Sequence, residues 1–334
     1  MTKKIQKTHI KPKHRRIMYV VYHKLPANIK RPLKTVIQST KIIGLLAAGL
    51  GFLGFTVMDF MLKITTSYLQ PLQITFFLNF FTVFWCLIGV GIFGSKIIKT
   101  NNYPLHIARG VMSVIGGVCI VSSFSLLKVS TAYSLIFLAP IISVILSLIF
   151  LKSPPTRGQI LGTIIGFFGI LVIFRPGQTN LNLGHLYAII GASTIAINGV
   201  LIKKFAKSEH PSSYVFYSGI ITIITLIYFS GQNLTSIPIW IYVILAASGL
   251  LFTFNIMLIV LAIQNIHLQV LGSIHYTQII WMFLFEWAFL SIAPDIWVIT
   301  GSIFIFLGGL IVSSPIIIKQ QIIKLLSSFK RPYK

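Results

Sequence analysis

The chain carries only four carboxylate side chains in 334 residues, Asp59, Glu209, Glu286 and Asp295, against 28 lysines and arginines. Two of the four, Asp59 and Glu286, fall inside long apolar runs. A charge placed in hydrocarbon costs about 2.5 to 3.5 kcal/mol on insertion scales, so each is a candidate site. Asp59 stands four residues before Lys63, and on a helix that spacing puts both on one face. They form either a self-contained pair at the interface or a site where Asp59 takes a cationic group or a coupling proton and releases Lys63. The nearest basic side chain to Glu286 within its own run is His275, eleven residues and three turns earlier on roughly the same face. A carboxyl so placed suits proton coupling, unless it is shallow enough to reach water. Arg109 follows Pro104 by five residues. It either snorkels to the interface or binds an anion at the inner mouth, with His106 on the same face.

Neutral polar groups at membrane depth are Asn79, Asn198, Asn255, Tyr133, Tyr276 and Gln278. Many such groups satisfy each other between helices for about 0.6 kcal/mol apiece, and the remainder are free to meet a ligand. Asp59, Lys63, Arg109, Glu286, His275, Tyr276, Asn79 and Gln278 are therefore the candidates for binding a small-molecule substrate or coupling ion. Trp281 either stacks on a ring-bearing substrate or faces lipid or a neighbour, whereas Trp240, Trp287 and Trp297 read as interfacial anchors. No His-Glu-x-x-His, Gly-x-Ser-x-Gly or Gly-x-x-x-x-Gly-Lys-Ser/Thr motif is present, so neither an enzyme nor an ATP-driven pump is indicated. Cys86 and Cys119 lack Cys-x-x-Cys spacing, and no disulfide, metal or cofactor is implied. A membrane-embedded enzyme would need an acid/base or metal cluster. A non-transporting scaffold would leave acids in both halves unexplained.

The elements that must position these residues are membrane helices. Hydrophobic residues make up 55% of the chain and charged ones 10%, with mean hydropathy +0.89, where a soluble domain is about a quarter charged. Segments of membrane-spanning length are predicted near 42–62, 72–93, 104–126, 129–151, 157–174, 184–202, 212–230, 238–262, 267–290 and 296–315, giving an all-α polytopic membrane protein of ten helices. Residues 1–41 hold twelve basic and no acidic residues, which reads as a cytoplasmic tail lying near anionic lipid. Residues 316–334 form a second basic cytoplasmic tail. With both termini inside, 25 basic residues lie on the cytoplasmic side and three, Lys63, Lys128 and Arg175, outside. That bias sets orientation and accounts for the net charge of +24 without nucleic acid.

The stretch from Phe150 to Pro176, FLKSPPTRGQILGTIIGFFGILVIFRP, recurs as FLSIAPDIWVITGSIFIFLGGLIVSSP from Phe289 to Pro315. Ungapped superposition lays Pro155 on Pro294, Gly162 on Gly301, Gly169 on Gly308 and Pro176 on Pro315. The chain is thus two related halves, 42–175 and 184–315. Five helices is an odd number, so the second half enters from the opposite face and the repeats are inverted. Lys152 and Arg157 occur only in the copy predicted to face the cytoplasm; Arg175, against Ser314, runs the other way. Gly162, Gly166 and Gly169, like Gly301, Gly308 and Gly309, form small-residue stripes for close packing within the bundle or in a homodimer. Mirrored halves meeting around a midplane cavity are the architecture of many secondary transporters.

Particular motifs carry a family likeness. VMDFMLK (Asp59, Lys63), LHIARG (His106, Arg109) and FLAPIISVILSLIFL (Pro140), followed by a Gly-rich helix and repeated in the second half, resemble the EamA family of the drug/metabolite transporter superfamily over about residues 42–315. Within it the sequence is most like the branch that includes S-adenosylmethionine uptake carriers of intracellular bacteria. The resemblance implies a secondary carrier of a small polar metabolite in a bacterial inner membrane, with helices 3, 4, 8 and 9 lining a central cavity. The chain departs from many relatives at Asn79, Lys152 and Gln278, where those relatives carry Arg, an acid and Glu.

Overall fold

The computed structural model describes residues 27–151, 157–175, 181–205, 209–231, 237–266, 268–291, 296–308 and 310–311. Lys152, Lys207, Asp295, Gly309 and the 316–334 tail lie outside them. Among the described residues the chain is helical, with no strand. The helices are α1 (Ala27–Thr65), α2 (Pro71–Phe93), α3 (Tyr103–Leu126), α4 (Val129–Ile136), α5 (Leu138–Leu151), α6 (Arg157–Phe174), α7 (Leu183–Phe205), α8 (Pro211–Ser230), α9 (Ile239–Asn265), α10 (Leu268–His275) and α11 (Gln278–Leu290), followed by α12 (Ile296–Gly308). Residues 1–43 and 44–334 are separate compact units. The first helix starts at Ala27 rather than near residue 42, because the Lys, Leu, Gln and Ile that follow Pro32 are compatible with helix.

Seven spans are long and apolar enough to cross a membrane, with α4 and α5 counted together. The apolar parts of α6 and α12, Ile160–Ile173 and Ile296–Gly308, are shorter. The segment expected as one helix near 267–290 is interrupted at Tyr276 and Thr277. A similar break at Phe137 divides α4 from α5. Pro140 explains the break at Phe137, since its ring crowds the carbonyl four residues back, at Ile136, where α4 ends. At Tyr276 and Thr277, the Thr277 hydroxyl donates to the Ile274 carbonyl at 2.7 Å and competes with the main-chain ladder. The register that lays Phe150 on Phe289 also lays Phe137 on Tyr276.

Contacts recur between the halves in the same way. α2 packs on α8 and α9, and α3 packs on α7 and α8, so helices of one half lie against those of the other. Gly110 on α3 meets the side chain of Ile221 on α8, while a methyl on Gly249 of α9 would stand 2.8 Å from Phe81 and Thr82 of α2. Both α2 and α8 start with proline, which suits the first helical position. The glycine stripes of α6 and α12 face each other. A Cβ on Gly169 would lie 2.5 Å from the Gly301 carbonyl oxygen, and one on Gly308 equally close to that of Gly162. These contacts use the stripes for packing within the bundle, one of the two roles expected of them. Cys86 and Cys119 are buried and free.

Candidate functional site

A cavity of about 330 Å³ lies between the halves, lined from α1 to α10 and by Gln278 at the start of α11. Helices α3, α5, α9 and α10 contribute walls, and so do α1, α2, α7 and α8. Six of the eight candidate residues reach it: Asp59, Asn79, Arg109, His275, Tyr276 and Gln278. Lys63 and Glu286 do not.

Asp59 is half-buried in α1. The Tyr133 hydroxyl on α4 donates to Asp59 Oδ2, and bonds to an ionised acceptor are about twice as strong as neutral ones. Gln278 Nε2 donates to the Phe52 carbonyl at 3.1 Å and to Thr56 Oγ1 and Tyr133 Oη at 3.4 Å. The carboxyl therefore sits in a frame drawn from α1, α4 and α11, which fixes its place. The His275 ring stacks on Phe52 with centroids 4.6 Å apart and meets Phe137 edge-on at 5.4 Å. Among the described residues the only contact of salt-bridge length is His106 with Glu209, so Asp59 has no cationic partner there.

Arg109 is 4% exposed, which excludes the snorkelling reading. Its Nη1 donates to the Tyr214 carbonyl at 3.2 Å, and the guanidinium lies 4.6 Å from the Tyr214 ring centroid. Among the described residues, Arg109 Nε and Tyr214 Oη have no hydrogen-bond partner. The neighbouring acid is engaged elsewhere, since Glu209 Oε2 meets His106 Nε2 at 3.3 Å and accepts from Ser213 Oγ at 3.5 Å. That pairing is absent from the reading of the sequence. A signal existed, because Glu209 is the one acid near the basic end of α7, where Lys203 and Lys204 stand in the last turn.

Two expectations are corrected. Lys63 does not pair with Asp59. Its ammonium donates to the carbonyls of Phe124 and, at 3.1 Å, Leu127, at the C-terminus of α3, where cations are favoured. Glu286 does not share a face with His275, because the break at Tyr276 and Thr277 ends the continuous helix on which that spacing rests. Glu286 is 3% exposed and its Oε1 accepts from Ser130 N at 3.2 Å, on the first turn of α4, where anions are favoured. The α3–α4 turn is thus held by a cation at one helix end and an anion at the next. Lys203 repeats the first device in the second half, donating to Ile263 O at 2.9 Å and Ile266 O at 3.5 Å at the end of α9.

Trp281, Trp240, Trp287 and Trp297 are exposed on the bundle surface, and none lines the cavity. Asn198 lines the cavity with an unpartnered Oδ1, whereas Asn255 packs against Gly54 outside it.

The model of the EamA-like transporter family matches residues 42–175 and again 182–314. The chain belongs to this family. Among curated proteins it is 30% identical over 169 residues to the S-adenosylmethionine uptake transporter of Rickettsia bellii, a match covering 51% of this chain and 58% of that protein. It is 28% identical over 199 residues to the protein of the same name from Rickettsia conorii, covering 59% and 68%. An uncharacterized transporter of Helicobacter pylori (strain 26695) is 22% identical over 298 residues, 85% of this chain and 98% of that protein. A solved crystal structure shares the fold, with a TM-score of 0.63 at 15% identity over 83% of this chain and 96% of the other. Family and relatives are transporters and not enzymes. As an EamA protein the chain is a multi-pass membrane protein, and the two family matches coincide with the halves whose helices wall the cavity.

Proposed function

We propose that this EamA protein is a secondary active transporter in which ten helices, five in each of two inverted repeats, alternate access to the central cavity. Support for the ten-helix reading comes from the shorter apolar helices α6 and α12 and from the α10–α11 pair, which add to the seven long spans. Support for the inversion comes from matched devices in the two halves, the breaks at Phe137 and Tyr276 and the carbonyl-bound Lys63 and Lys203. Discontinuous helices beside a midplane cavity are a recurring feature of such carriers. The cargo is a small polar organic metabolite with a cationic centre, S-adenosylmethionine or a related nucleoside or amino-acid derivative, moved by exchange or proton coupling.

The observation that carries this reading is Asp59, a carboxyl inside the cavity, held by Tyr133 and lacking a cationic partner among the described residues. An uncompensated acid at membrane depth is costly, and a cationic cargo or a proton would offset that cost. Purified protein in liposomes preloaded with unlabelled S-adenosylmethionine should accumulate the labelled compound by counterflow, saturably, with loss of flux in Asp59→Asn. Absence of counterflow with S-adenosylmethionine removes that cargo. Absence across a broad metabolite panel removes the transporter reading.

A further inference from the structure

The cavity holds a second uncompensated charge. Arg109 is as buried as a core residue and lines the same space as Asp59. The acid that could neutralise it, Glu209, is bound to His106 and Ser213. Arg109 Nη1 is anchored on the Tyr214 carbonyl, and among the described residues Nε and the nearby Tyr214 hydroxyl have no acceptor. A buried guanidinium without an anion is strongly unfavourable, and its flat fork is matched to a carboxylate or phosphate.

Asp59 and Arg109 are too far apart to neutralise each other. Lys63, one turn after Asp59, reaches the Phe124 carbonyl, fifteen residues along α3 from Arg109. At 1.5 Å per residue the two charged positions are separated by on the order of 15 Å along the bundle. Side-chain reach shortens this, yet leaves a ligand's length between them.

We propose that Asp59 and Arg109 are two poles of one substrate site, and that the cargo is an elongated molecule bearing a cationic centre toward one end and a carboxylate or other anion toward the other. This rests on the transporter reading and names its substrate class. Asp59, framed by Tyr133 and Gln278, takes the cation. Arg109, which lines the cavity beside Tyr214, takes the anion. A molecule with both charges removes both desolvation penalties, whereas one with a single charge leaves the opposite pole bare.

The test is binding, read as thermal stabilisation of the detergent-purified full chain, so that it is independent of flux. The probes are S-adenosylmethionine, its decarboxylated form and its demethylated form S-adenosylhomocysteine, together with 6-aminohexanoate, hexylamine and hexanoate. At least one of S-adenosylmethionine and 6-aminohexanoate should stabilise the wild type with an apparent affinity tenfold or more above its charge-deleted counterparts. Arg109→Gln should abolish the advantage over the carboxylate-free compound alone, with partial recovery in Arg109→Lys, and Asp59→Asn the advantage over hexanoate or over S-adenosylhomocysteine, which lacks the sulfonium and keeps the α-ammonium. No stabilisation by either dipolar compound, or equal stabilisation by a counterpart, overturns the assignment. If Arg109→Gln does not fold, the wild-type series still decides. Discrimination without counterflow would retain the two poles and reject transport; counterflow without discrimination would do the reverse.

Discussion

Asn at position 59 keeps the shape of the Asp59 side chain and an acceptor for the Tyr133 hydroxyl, and removes only the charge. If the carboxylate takes a cation, Asp59→Asn should lower kcat/KM for uptake about tenfold or more, equivalent to roughly 1.4 kcal/mol, with the amount of protein in the membrane unchanged. Tyr133→Phe keeps the ring packed on Phe124 and Phe137 and removes one charge-assisted bond. Its expected loss is smaller, and a loss equal to that of Asp59→Asn would mean that the hydroxyl itself meets substrate. Initial-rate uptake in cells separates the two outcomes. The candidates were legible in the sequence because acids are so scarce in it. Their partners were not, since Tyr133 lies 74 residues from Asp59 and Glu209 lies 103 from His106, and no local pattern links positions so distant.

Lys63 and Glu286 show the limit of reading a charge as chemistry when it can serve a helix end. Their bonds hold the end of α3 and the start of α4, and Tyr133 stands one turn beyond Ser130, the residue Glu286 caps. Gln at 286 retains an acceptor for the Ser130 amide. Glu286→Gln should therefore keep most of the transport rate and its pH profile, while Glu286→Leu leaves that amide bare and should cost about 1 to 3 kcal/mol of stability. A pH profile flattened by Glu286→Gln would return the carboxyl to proton coupling. Gly169 gives a second check on packing. Gly169→Val would drive Cβ against the Gly301 carbonyl and should cost about 1 to 3 kcal/mol, seen as a lower midpoint of thermal unfolding in detergent. Hydropathy and length made the long helices and both glycine stripes legible. That the stripes face each other depends on contacts between halves, and the break at Thr277 comes from a hydroxyl bond to Ile274 rather than from a proline.

The orientation proposed for the bundle is argued from charge. Lys96 and Lys128 are both exposed and stand on opposite sides in the proposed topology, at the end of α2 and between α3 and α4. Lysine and arginine concentrate on the cytoplasmic side, and 25 of them fall on the side of Lys96 against Lys63, Lys128 and Arg175 on the other in the proposed topology. Cys86 and Cys119 are buried, so replacing both by Ala gives a background with little structural change. In that background Lys128→Cys should react with a membrane-impermeant maleimide applied to intact spheroplasts, and Lys96→Cys only after permeabilisation. The reverse pattern would invert the molecule and place the His106–Glu209 pair, with the Arg109 pole of the cavity, on the outer side. Labelling of both sites from outside would contradict the odd number of crossings between them. The same two cysteines thus test both the orientation and the single crossing of α3 between them.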